Sequence, residues 1–293
     1  MSERSISEND VLLRAHSLVK RFGDFTAVDN VDIEVKKGEI YGFLGPNGAG
    51  KTTTIRMLST LLKPTSGELS IDGYSIPKDI KKARDLIGIA QQHNGLDRDI
   101  TSLENIQHHA ILHKMPRSEY EPKMRELIDM FGLEPYLNKL TSDLSGGWKK
   151  KVAIVGSIIH SPKILFLDEP TTGLDIKSRI LLWDIIKKLN EMGTTIFLTT
   201  HYIEEAEALC DRVSIIDGGK IVKTGVPSEL CMELGKWTVE ESDEDGRRLT
   251  YFSEMDKARN HLSTLDPSES AFMRKTRLED VYLRYTDREE DEQ

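Results

Sequence analysis

The sequence has few cysteines and no long apolar segment. Its 293 residues include two cysteines, Cys210 and Cys231, without CxxC spacing, which favours unpaired thiols in a reducing compartment over a disulfide framework. No apolar run approaches the roughly 18 residues that a membrane-spanning helix needs, and the polar start MSERSISEND lacks the apolar core of a signal peptide. We therefore expect a soluble, cytoplasmic chain that relies on another subunit for any work in a membrane.

Positive charge is also in the minority. The chain has 40 lysines and arginines against 49 aspartates and glutamates, for a net charge of -9, so its overall field does not favour binding to nucleic acid. Hydrophobic residues make up 38% and charged residues 30%, as in ordinary globular proteins. The length suits one large α/β domain with an appendage, or two modest domains.

Apolar strands alternate with helical segments over most of the chain. Strand patterns include EIYGFLG, KILFLDE, TTIFLTTH and DRVSIID, and the helical pattern KTTTIRMLSTLL follows the first of them. This alternation predicts a buried, mainly parallel sheet. An insert from about residue 93 to 155 is almost wholly helical in pattern. Two strands around DEDG predict a hairpin, and the helices around it complete a small C-terminal appendage.

The motif GPNGAGKTT fits G-x-x-x-x-G-K-[ST] and lies between a predicted strand and a predicted helix. Its glycines allow backbone N–H groups to close around phosphate oxygens, and the helix dipole adds positive potential. Lys51 is placed to reach the β and γ phosphates, and Thr52 to bind Mg²⁺. The predicted nucleotide-binding residues here are Gly45, Pro46, Asn47, Gly48, Ala49, Gly50, Lys51, Thr52 and Thr53.

A pair of carboxylates supplies the complementary half of such a site. The apolar strand ILFL ends in Asp168 and Glu169. A carboxylate at this end of a strand is suited to hold the Mg²⁺ of a P-loop nucleotide, which predicts a metal-binding role for Asp168. Glu169 is then placed to orient or deprotonate the attacking water.

The P-loop, LSGG, FLDEPTTGLD and a histidine after TTIFLTT occur in this order, and with them residues 10–232 resemble the ATP-binding cassette (ABC) ATPases. The resemblance implies an α/β fold: a P-loop NTPase cassette with a mainly parallel core sheet, an antiparallel β subdomain and a helical subdomain. Residues 233–293 would form a small α+β appendage with an acidic tail, and LEDVYLRYTD within it resembles the end of drug-efflux ABC ATPases. The implied ligands are ATP and Mg²⁺.

The resemblance also implies roles for an aromatic residue and a glutamine. Phe22 matches the aromatic that stacks on adenine, with Phe25 as the alternative. In IGIAQQ, Gln92 matches the glutamine that contacts Mg²⁺ and water and couples to the membrane subunit, with Gln91 as the alternative.

Further roles follow from the resemblance at two later motifs. Asp175 matches the loop that crosses to a second cassette, and His201 matches the histidine that contacts the γ-phosphate. In this family the LSGG of one cassette completes the ATP site of another. Ser145, Gly146 and Gly147 would then bind the partner's nucleotide, which implies a dimer, most simply a homodimer.

Several residues depart from the family pattern or have no role in it. Trp148 stands where the family most often has glutamine, and Gly156 where a basic residue is common. Lysines 149–151 follow the two glycines at a predicted helix start, either on a solvated face or directed at the triphosphate. His109 and His113 have the i, i+4 spacing of a metal-binding pair, although no family role attaches to them.

The sequence thus predicts an active ATPase subunit at the cytoplasmic face of the cell membrane, attached through integral-membrane permease subunits. Export of a drug or lipid-like substrate is the expected function. An importer ATPase shares every motif and stays an alternative. A soluble ABC-type ATPase acting on ribosomes or DNA is a further alternative, disfavoured by the single cassette and the acidic net charge. A regulatory subunit without turnover would rest on Trp148 and Gly156 alone.

Overall fold

A computed structural model describes residues 10–91, 95–243, 246–265 and 270–286. Up to residue 234 the chain forms β1 (Val11–Phe22), β2 (Phe25–Lys36), β3 (Ile40–Leu44), α1 (Lys51–Leu58), β4 (Ser66–Ile71), β5 (Tyr74–Ile76), α2 (Ile80–Arg84), β6 (Ile87–Ala90), α3 (Ser102–Leu112), α4 (Arg117–Phe131), α5 (Gly146–Ile158), β7 (Ile164–Asp168), α6 (Ile176–Glu191), β8 (Thr195–Thr200), α7 (Ile203–Leu209), β9 (Arg212–Asp217), β10 (Lys220–Gly225) and α8 (Pro227–Leu234). Within these ranges no helix combines the length and the apolar character that crossing a bilayer requires.

The central sheet has six strands in the order β10-β9-β3-β8-β7-β6. The five strands from β9 to β6 run parallel, and only the edge strand β10 is antiparallel. Every residue of β3, β7 and β8 is buried, as expected for strands covered on both faces. The P-loop follows β3, the strand that ends at Thr200 pairs with β3, and the strand that ends at Asp168 is the next one in the sheet. Site residues that are distant in sequence therefore meet at one edge.

A second sheet is antiparallel, with strand order β2-β1-β4-β5. Its buried residues, including Leu13, Val31 and Ile71, pack in one cluster with Phe43 and Phe166 of the central sheet. Strand β1 ends at Phe22 and β2 begins at Phe25, on either side of the turn at Gly23. Helix α1 is shorter than predicted and ends at Leu58, since Thr60 adopts a left-handed conformation with φ 64°.

The helical region comprises α3, α4 and α5. A capping box formed by Thr101 and Glu104 begins α3. Gly132, with φ 63°, ends α4, because glycine readily adopts the left-handed conformation found at helix ends. The buried side chains of these helices, such as Phe131 and Val155, form one cluster with Leu165 and Leu167 of β7. Helix α5, which begins at the LSGG motif and is called the signature helix, packs on α3, α4 and the edge strand β6.

The C-terminal appendage follows α8. It consists of β11 (Trp237–Asp243), β12 (Gly246–Phe252), α9 (Met255–Thr264), β13 (Ser270–Lys275) and α10 (Leu278–Thr286), with strand order β12-β11-β13. The predicted hairpin is confirmed by the antiparallel pairing of β11 and β12. Leu278 and Val281 of α10 are buried with Leu230 of α8 and Leu209 of α7, so the last described helix packs back on the cassette.

Candidate nucleotide-hydrolysis site

The P-loop turns sharply between β3 and α1. Gly50 has φ 104°, and a Cβ at this position would lie 2.6 Å from the carbonyl oxygen of Ala27, so only glycine fits without strain. Lys51 is almost fully buried, at 4% exposure, and its Nζ donates to the carbonyl oxygens of Gly45 at 2.9 Å and Pro46 at 3.0 Å. The ammonium group is therefore held over the loop that is expected to receive phosphate.

Asp168 ends β7 beside the first turn of α1. Its Oδ1 accepts a hydrogen bond from Thr199 Oγ1 at 2.7 Å and lies 3.4 Å from Thr52 Oγ1. Burial raises the pKa of the Asp168 carboxyl, although the Thr199 hydrogen bond opposes this effect. Thr199 Oγ1 also accepts from the backbone N–H of Glu169 at 3.0 Å. One hydroxyl group thus orients both predicted carboxylate residues.

Glu169 lies between the two side chains predicted to contact the γ-phosphate, those of Lys51 and His201. Its Oε1 is 3.3 Å from Lys51 Nζ and 3.3 Å from His201 Nδ1, while Oε2 accepts from Thr172 Oγ1 at 3.1 Å. Burial by itself would raise the pKa of Glu169, but Lys51 and His201 outweigh it and hold the pKa below its usual range. The carboxylate is therefore ionised at neutral pH and ready to accept a proton or a hydrogen bond.

These residues surround one open cavity of about 510 Å³. Its lining comprises Asn47, Gly48, Gly50, Lys51, Thr52 and Thr53 of the P-loop region together with Phe25, Ala27, Glu169, Thr172 and His201. Of the other predicted P-loop residues, Gly45 and Pro46 accept from Lys51, and Ala49 is buried behind the loop. The structure therefore brings the P-loop, Glu169 and His201 into one site.

The aromatic residue at this cavity is Phe25. It is 65% exposed and forms part of the lining, whereas the predicted Phe22 does not. Phe22 is 51% exposed, and the ammonium group of Lys20 lies 5.0 Å from its ring centroid. The geometry thus favours the alternative aromatic for contact with an adenine base.

The residues predicted to hold Mg²⁺ fit that ion. A threonine hydroxyl and a carboxylate are the oxygen ligands that Mg²⁺ prefers, with water and phosphate oxygens completing its coordination. Asp168 and Thr52 already face each other, and the buried Asp168 carboxylate has no cation within ion-pair distance among the described residues. Gln92, the third predicted ligand, lies outside the described residues, and its neighbour Gln91 is exposed.

The LSGG residues lie in a different place. Ser145 is the N-cap of α5 and its side chain makes no capping hydrogen bond, and Gly146 is exposed with no atom within 4 Å of an added Cβ. The chain's own packing therefore does not require glycine at Gly146. Ser145 and Gly147 line a cavity of about 120 Å³ with Trp148 and Leu174, separate from the P-loop cavity.

Asp175 is the N-cap of α6. Its Oδ1 accepts from the backbone N–H of Ser178 at 3.0 Å and its Oδ2 from Ser178 Oγ at 2.6 Å. These hydrogen bonds lower the pKa of the Asp175 carboxyl. Within this chain its role is to begin the helix, and its proposed contact with a second cassette stays a prediction.

The two residues that depart from the family pattern have structural explanations. Trp148 stacks on Tyr136, with ring centroids 3.9 Å apart, and the ammonium group of Lys151 lies 4.3 Å from the Trp148 ring centroid. A Cβ on Gly156 would lie 2.6 Å from His109 Cδ2. Glycine at this position therefore permits the close approach of α5 and α3, which a basic side chain would obstruct.

The histidines of α3 do not form a metal site with their neighbours. His113 stacks on His160, with ring centroids 3.6 Å apart and planes inclined by 6°, an arrangement in which the ring nitrogens do not converge. Across the part of the chain that the structure describes, no group of three or more His, Cys, Asp or Glu residues is arranged to hold a metal ion. His109 and His113 instead fill the contact between helices.

The sequence motifs do not indicate what three side chains of the site contact. Thr199 bridges Asp168 and Glu169 from the neighbouring strand, Thr172 contacts Glu169 from the following turn, and Phe25 reaches the cavity from β2. Of these residues, only Phe25 is a site candidate from the sequence, as the alternative to Phe22. The strand pattern TTIFLTT marks Thr199 as buried but gives no indication of what it contacts.

A buried lysine over a glycine-rich loop, a carboxylate pair at the end of the neighbouring strand and a histidine against the second carboxylate define a P-loop nucleoside triphosphatase. Residues 28–172 match the family described as "ABC transporter". The chain is 41% identical over 223 residues to the daunorubicin/doxorubicin resistance ATP-binding protein DrrA of Streptomyces peucetius, a match that covers 76% of this chain and 68% of that one. The chain belongs to the ABC transporter family and is an ATPase subunit of a transporter.

Relatives and solved structures extend the match. Nod factor export ATP-binding protein I of Rhizobium leguminosarum bv. viciae is 34% identical over 308 residues and covers 99% of each chain, including the appendage. Linearmycin resistance ATP-binding protein LnrL of Bacillus subtilis (strain 168) is 38% identical, covering 78% of this chain and 73% of that one. A dimeric bacterial ABC transporter cassette is 30% identical with a TM-score of 0.67, covering 73% of this chain and 98% of that structure. The predicted fold class is confirmed.

Proposed function

We propose that this chain is the ATP-hydrolysing subunit of an exporter and that it works as a dimer beneath separate membrane-spanning permease subunits. The observation that carries this proposal is the division of the site. The P-loop, Glu169 and His201 share one cavity, whereas Ser145 and Gly147 line a separate one and Gly146 is exposed beside them. A second cassette, placed head to tail, would bring its LSGG residues to the nucleotide of the first.

The residues of the P-loop cavity have separable roles in hydrolysis. The backbone N–H groups of the loop and Lys51 bind the β and γ phosphates, and Phe25 packs on the base. Thr52 and Asp168 hold Mg²⁺, which when bound neutralises charge on the phosphate oxygens. Glu169, ionised at neutral pH, accepts a hydrogen bond from the attacking water, and His201 donates toward the γ-phosphate as charge develops there.

The LSGG residues would recognise the partner's triphosphate. The free hydroxyl of Ser145 and the N–H groups of Gly146 and Gly147 lie at the N-terminus of α5, where the helix dipole favours an anion. Because the open surface at Gly146 leaves room for another molecule, the phosphate can approach the backbone closely. ATP then joins the two subunits, and hydrolysis releases them.

The membrane partner would bind the helical region and the segment around Gln92. Ile111 and Leu112 at the end of α3 are 62% and 65% exposed, which provides an apolar surface for a permease helix. This contact would place the chain at the cytoplasmic face of the membrane. Export is favoured over import because the relatives named above are resistance and export proteins.

The variant Glu169→Gln tests the catalytic proposal. It retains the size of the side chain and removes its basicity, so we expect ATP binding to persist while turnover falls by about 100-fold or more. ATP should then trap a dimer that size-exclusion chromatography detects. The matched control is Glu204→Gln, whose side chain is 76% exposed and 3.7 Å from Arg179. Turnover of Glu169→Gln equal to that of this control would refute the role of Glu169.

Transport direction requires a test with the membrane partner. We expect the gene next to this one to encode a permease of several membrane-spanning helices. Cells that express both should accumulate less of an amphipathic dye than cells with the permease and the Glu169→Gln chain. A solute-binding protein encoded alongside, together with dye accumulation that does not depend on Glu169, would favour an importer instead.

A further inference from the structure

The second of the three consecutive lysines turns inward. Lys150 lies one turn after Gly146 in α5 and is 9% exposed. Its Nζ donates a hydrogen bond to the main-chain carbonyl oxygen of Glu169 at 2.9 Å. The signature helix is thus joined by a side chain to the residue proposed to position the attacking water in the same chain.

The peptide that Lys150 holds has an unusual conformation. Glu169 has φ 48°, a left-handed value that is costly for a residue with a Cβ. Its N–H donates to the Oγ1 of Thr199 at 3.0 Å and its carbonyl accepts from Lys150. Such a conformation persists where the surroundings hold it from more than one side, and here the two sides belong to β8 and α5.

A buried carboxyl group interacts electrostatically with Lys150. Glu205 of α7 is 0% exposed, and its Oε1 accepts from Trp183 Nε1 at 3.1 Å. Burial lowers the pKa of Lys150 to about 8, while Glu205, Glu169 and Asp168 favour its charged form in that order. Glu205 is also near the hydroxyls of Thr171 and Thr200, and Thr200 directly precedes His201.

The two neighbouring lysines make different contacts. Lys149 Nζ donates to the carbonyl oxygen of Ser142 at 3.1 Å, and Lys151 Nζ donates to the carbonyl oxygen of Phe131 at 3.2 Å. Both contacts lie within the helical region. Of the three lysines, Lys150 is therefore the one that joins this region to the carboxylate end of the central sheet, and the solvated-face interpretation is wrong for it.

We infer that Lys150 is a positioning residue that couples the two ATP sites of the dimer, because it fixes Glu169 of one site to the helix whose N-terminus contacts the nucleotide of the other. The inference rests on the proposed function, since it requires Glu169 to act on the water and Gly146 and Gly147 to contact the partner's nucleotide. A shift of α5 on binding that nucleotide would be transmitted by the Lys150 hydrogen bond to the Glu169 backbone.

The experiment compares Lys150→Met with Lys149→Met in the full-length chain. Both changes remove one ammonium group from adjacent positions of one helix, and only the first reaches Glu169. We expect Lys150→Met to lower kcat by about 100-fold, as for a small misplacement of a catalytic group, with the KM for ATP changed less than about threefold. Lys149→Met should retain wild-type kcat, and Lys150→Arg should recover part of the loss because it keeps a cationic donor.

A double variant separates positioning from general damage. In the Glu169→Gln background, Lys150→Met should cause little further loss, because both changes act through the same carboxylate. Removal of Lys150 leaves Glu205 buried without its cation, so Lys150→Met/Glu205→Gln serves if the single variant does not fold. This folded pair should show the same selective loss of kcat.

These experiments distinguish a failure of the Lys150 inference from a failure of the proposed ATPase function. Provided that Glu169→Gln itself is inactive, three outcomes would each overturn the inference. These are wild-type turnover in Lys150→Met, equal losses of turnover in Lys149→Met and Lys150→Met, and a full further loss of turnover when Lys150→Met is added to Glu169→Gln. Wild-type turnover in Glu169→Gln would instead overturn the proposed function, and the inference with it.

Discussion

The buried ion pair of the appendage leads to a quantitative prediction for Asp280→Asn. Asp280 is 0% exposed. Its carboxylate accepts from Arg274 Nη1 at 2.7 Å and Nη2 at 2.6 Å, and from the backbone N–H of Arg277 at 2.8 Å. Because α10 carries Asp280 and β13 carries Arg274, this pair joins the last helix to the appendage sheet. The substitution keeps the shape of the side chain and removes its charge.

The expected cost follows from these contacts. Breaking a buried pair by changing one partner costs about 3–5 kcal/mol. Two features reduce that figure here, since asparagine can still accept one hydrogen bond and Arg274 keeps Glu240 at 3.1 Å. We therefore expect the free energy of local unfolding of the appendage sheet to fall by about 2–4 kcal/mol. Replacing both partners, in Arg274→Met/Asp280→Leu, should recover part of this loss.

Amide hydrogen exchange of β11, the central strand of this sheet, measures the quantity directly. The expected change corresponds to exchange about 30- to 700-fold faster, at tenfold per 1.4 kcal/mol. Glu254→Gln is the control, because it breaks a pair with Lys257 whose side chains are 64% and 65% exposed, and such pairs contribute little. Acceleration in Asp280→Asn below about fivefold, or no greater than in the control, would refute the reasoning.

Three other predictions concern base binding, helix packing and pH. Phe25→Ala should weaken ATP binding by about 1 kcal/mol or more, with Phe22→Ala affecting the measured Kd less; the reverse order would restore the sequence-based assignment. Gly156→Arg should lower the unfolding midpoint by an amount equivalent to about 1–3 kcal/mol, because its Cβ would meet His109, and an unchanged midpoint would show that the helices can separate without cost. Burial lowers the pKa of His160 to about 4. As the pH falls through about 6.5, this histidine is therefore protonated in the unfolded chain before it is protonated in the folded chain. The free energy of unfolding should consequently fall by about 2 kcal/mol between pH 7.5 and 5. The free energy of unfolding of His160→Leu should therefore depend less steeply on pH than that of the wild type, and an unchanged slope would contradict the prediction.

The sequence was sufficient for the parts of the site that are local in the chain. A strand, a glycine-rich turn and a helix place the P-loop residues by themselves, so GPNGAGKTT predicts both the conformation and the ligand. ILFLDE by itself predicts only a strand that ends in two carboxylates, and the P-loop motif in the same chain is what marks that strand end as part of a nucleotide site. The break of α4 at Gly132 also follows from one residue, because glycine favours the left-handed end of a helix.

Contacts between distant elements could not be predicted in this way. Thr199 and Glu169 are opposed because β8 and β7 are neighbours in the sheet, and nothing local to either strand records that neighbour. For Lys150, the sequence leaves open whether the side chain lies on a solvated face or is directed at the triphosphate. Its actual direction depends on how α5 packs on α3, α4 and β6, and nothing in LSGGWKKK records those neighbours. The sequence also leaves undecided which aromatic contacts the base, because Phe22 and Phe25 flank the same turn.

The position of β6 has a mechanical consequence. The helical region leaves the central sheet after this strand, which lies at the edge of the sheet, and returns through α5 to the adjacent strand β7. The P-loop and His201 are attached to the interior strands β3 and β8, which pair with each other. A force applied to the helices by a moving membrane subunit would therefore act as torque on a border of the sheet. The P-loop can stay still while Glu169, at the end of β7, is the hydrolytic group attached closest to that border of the sheet.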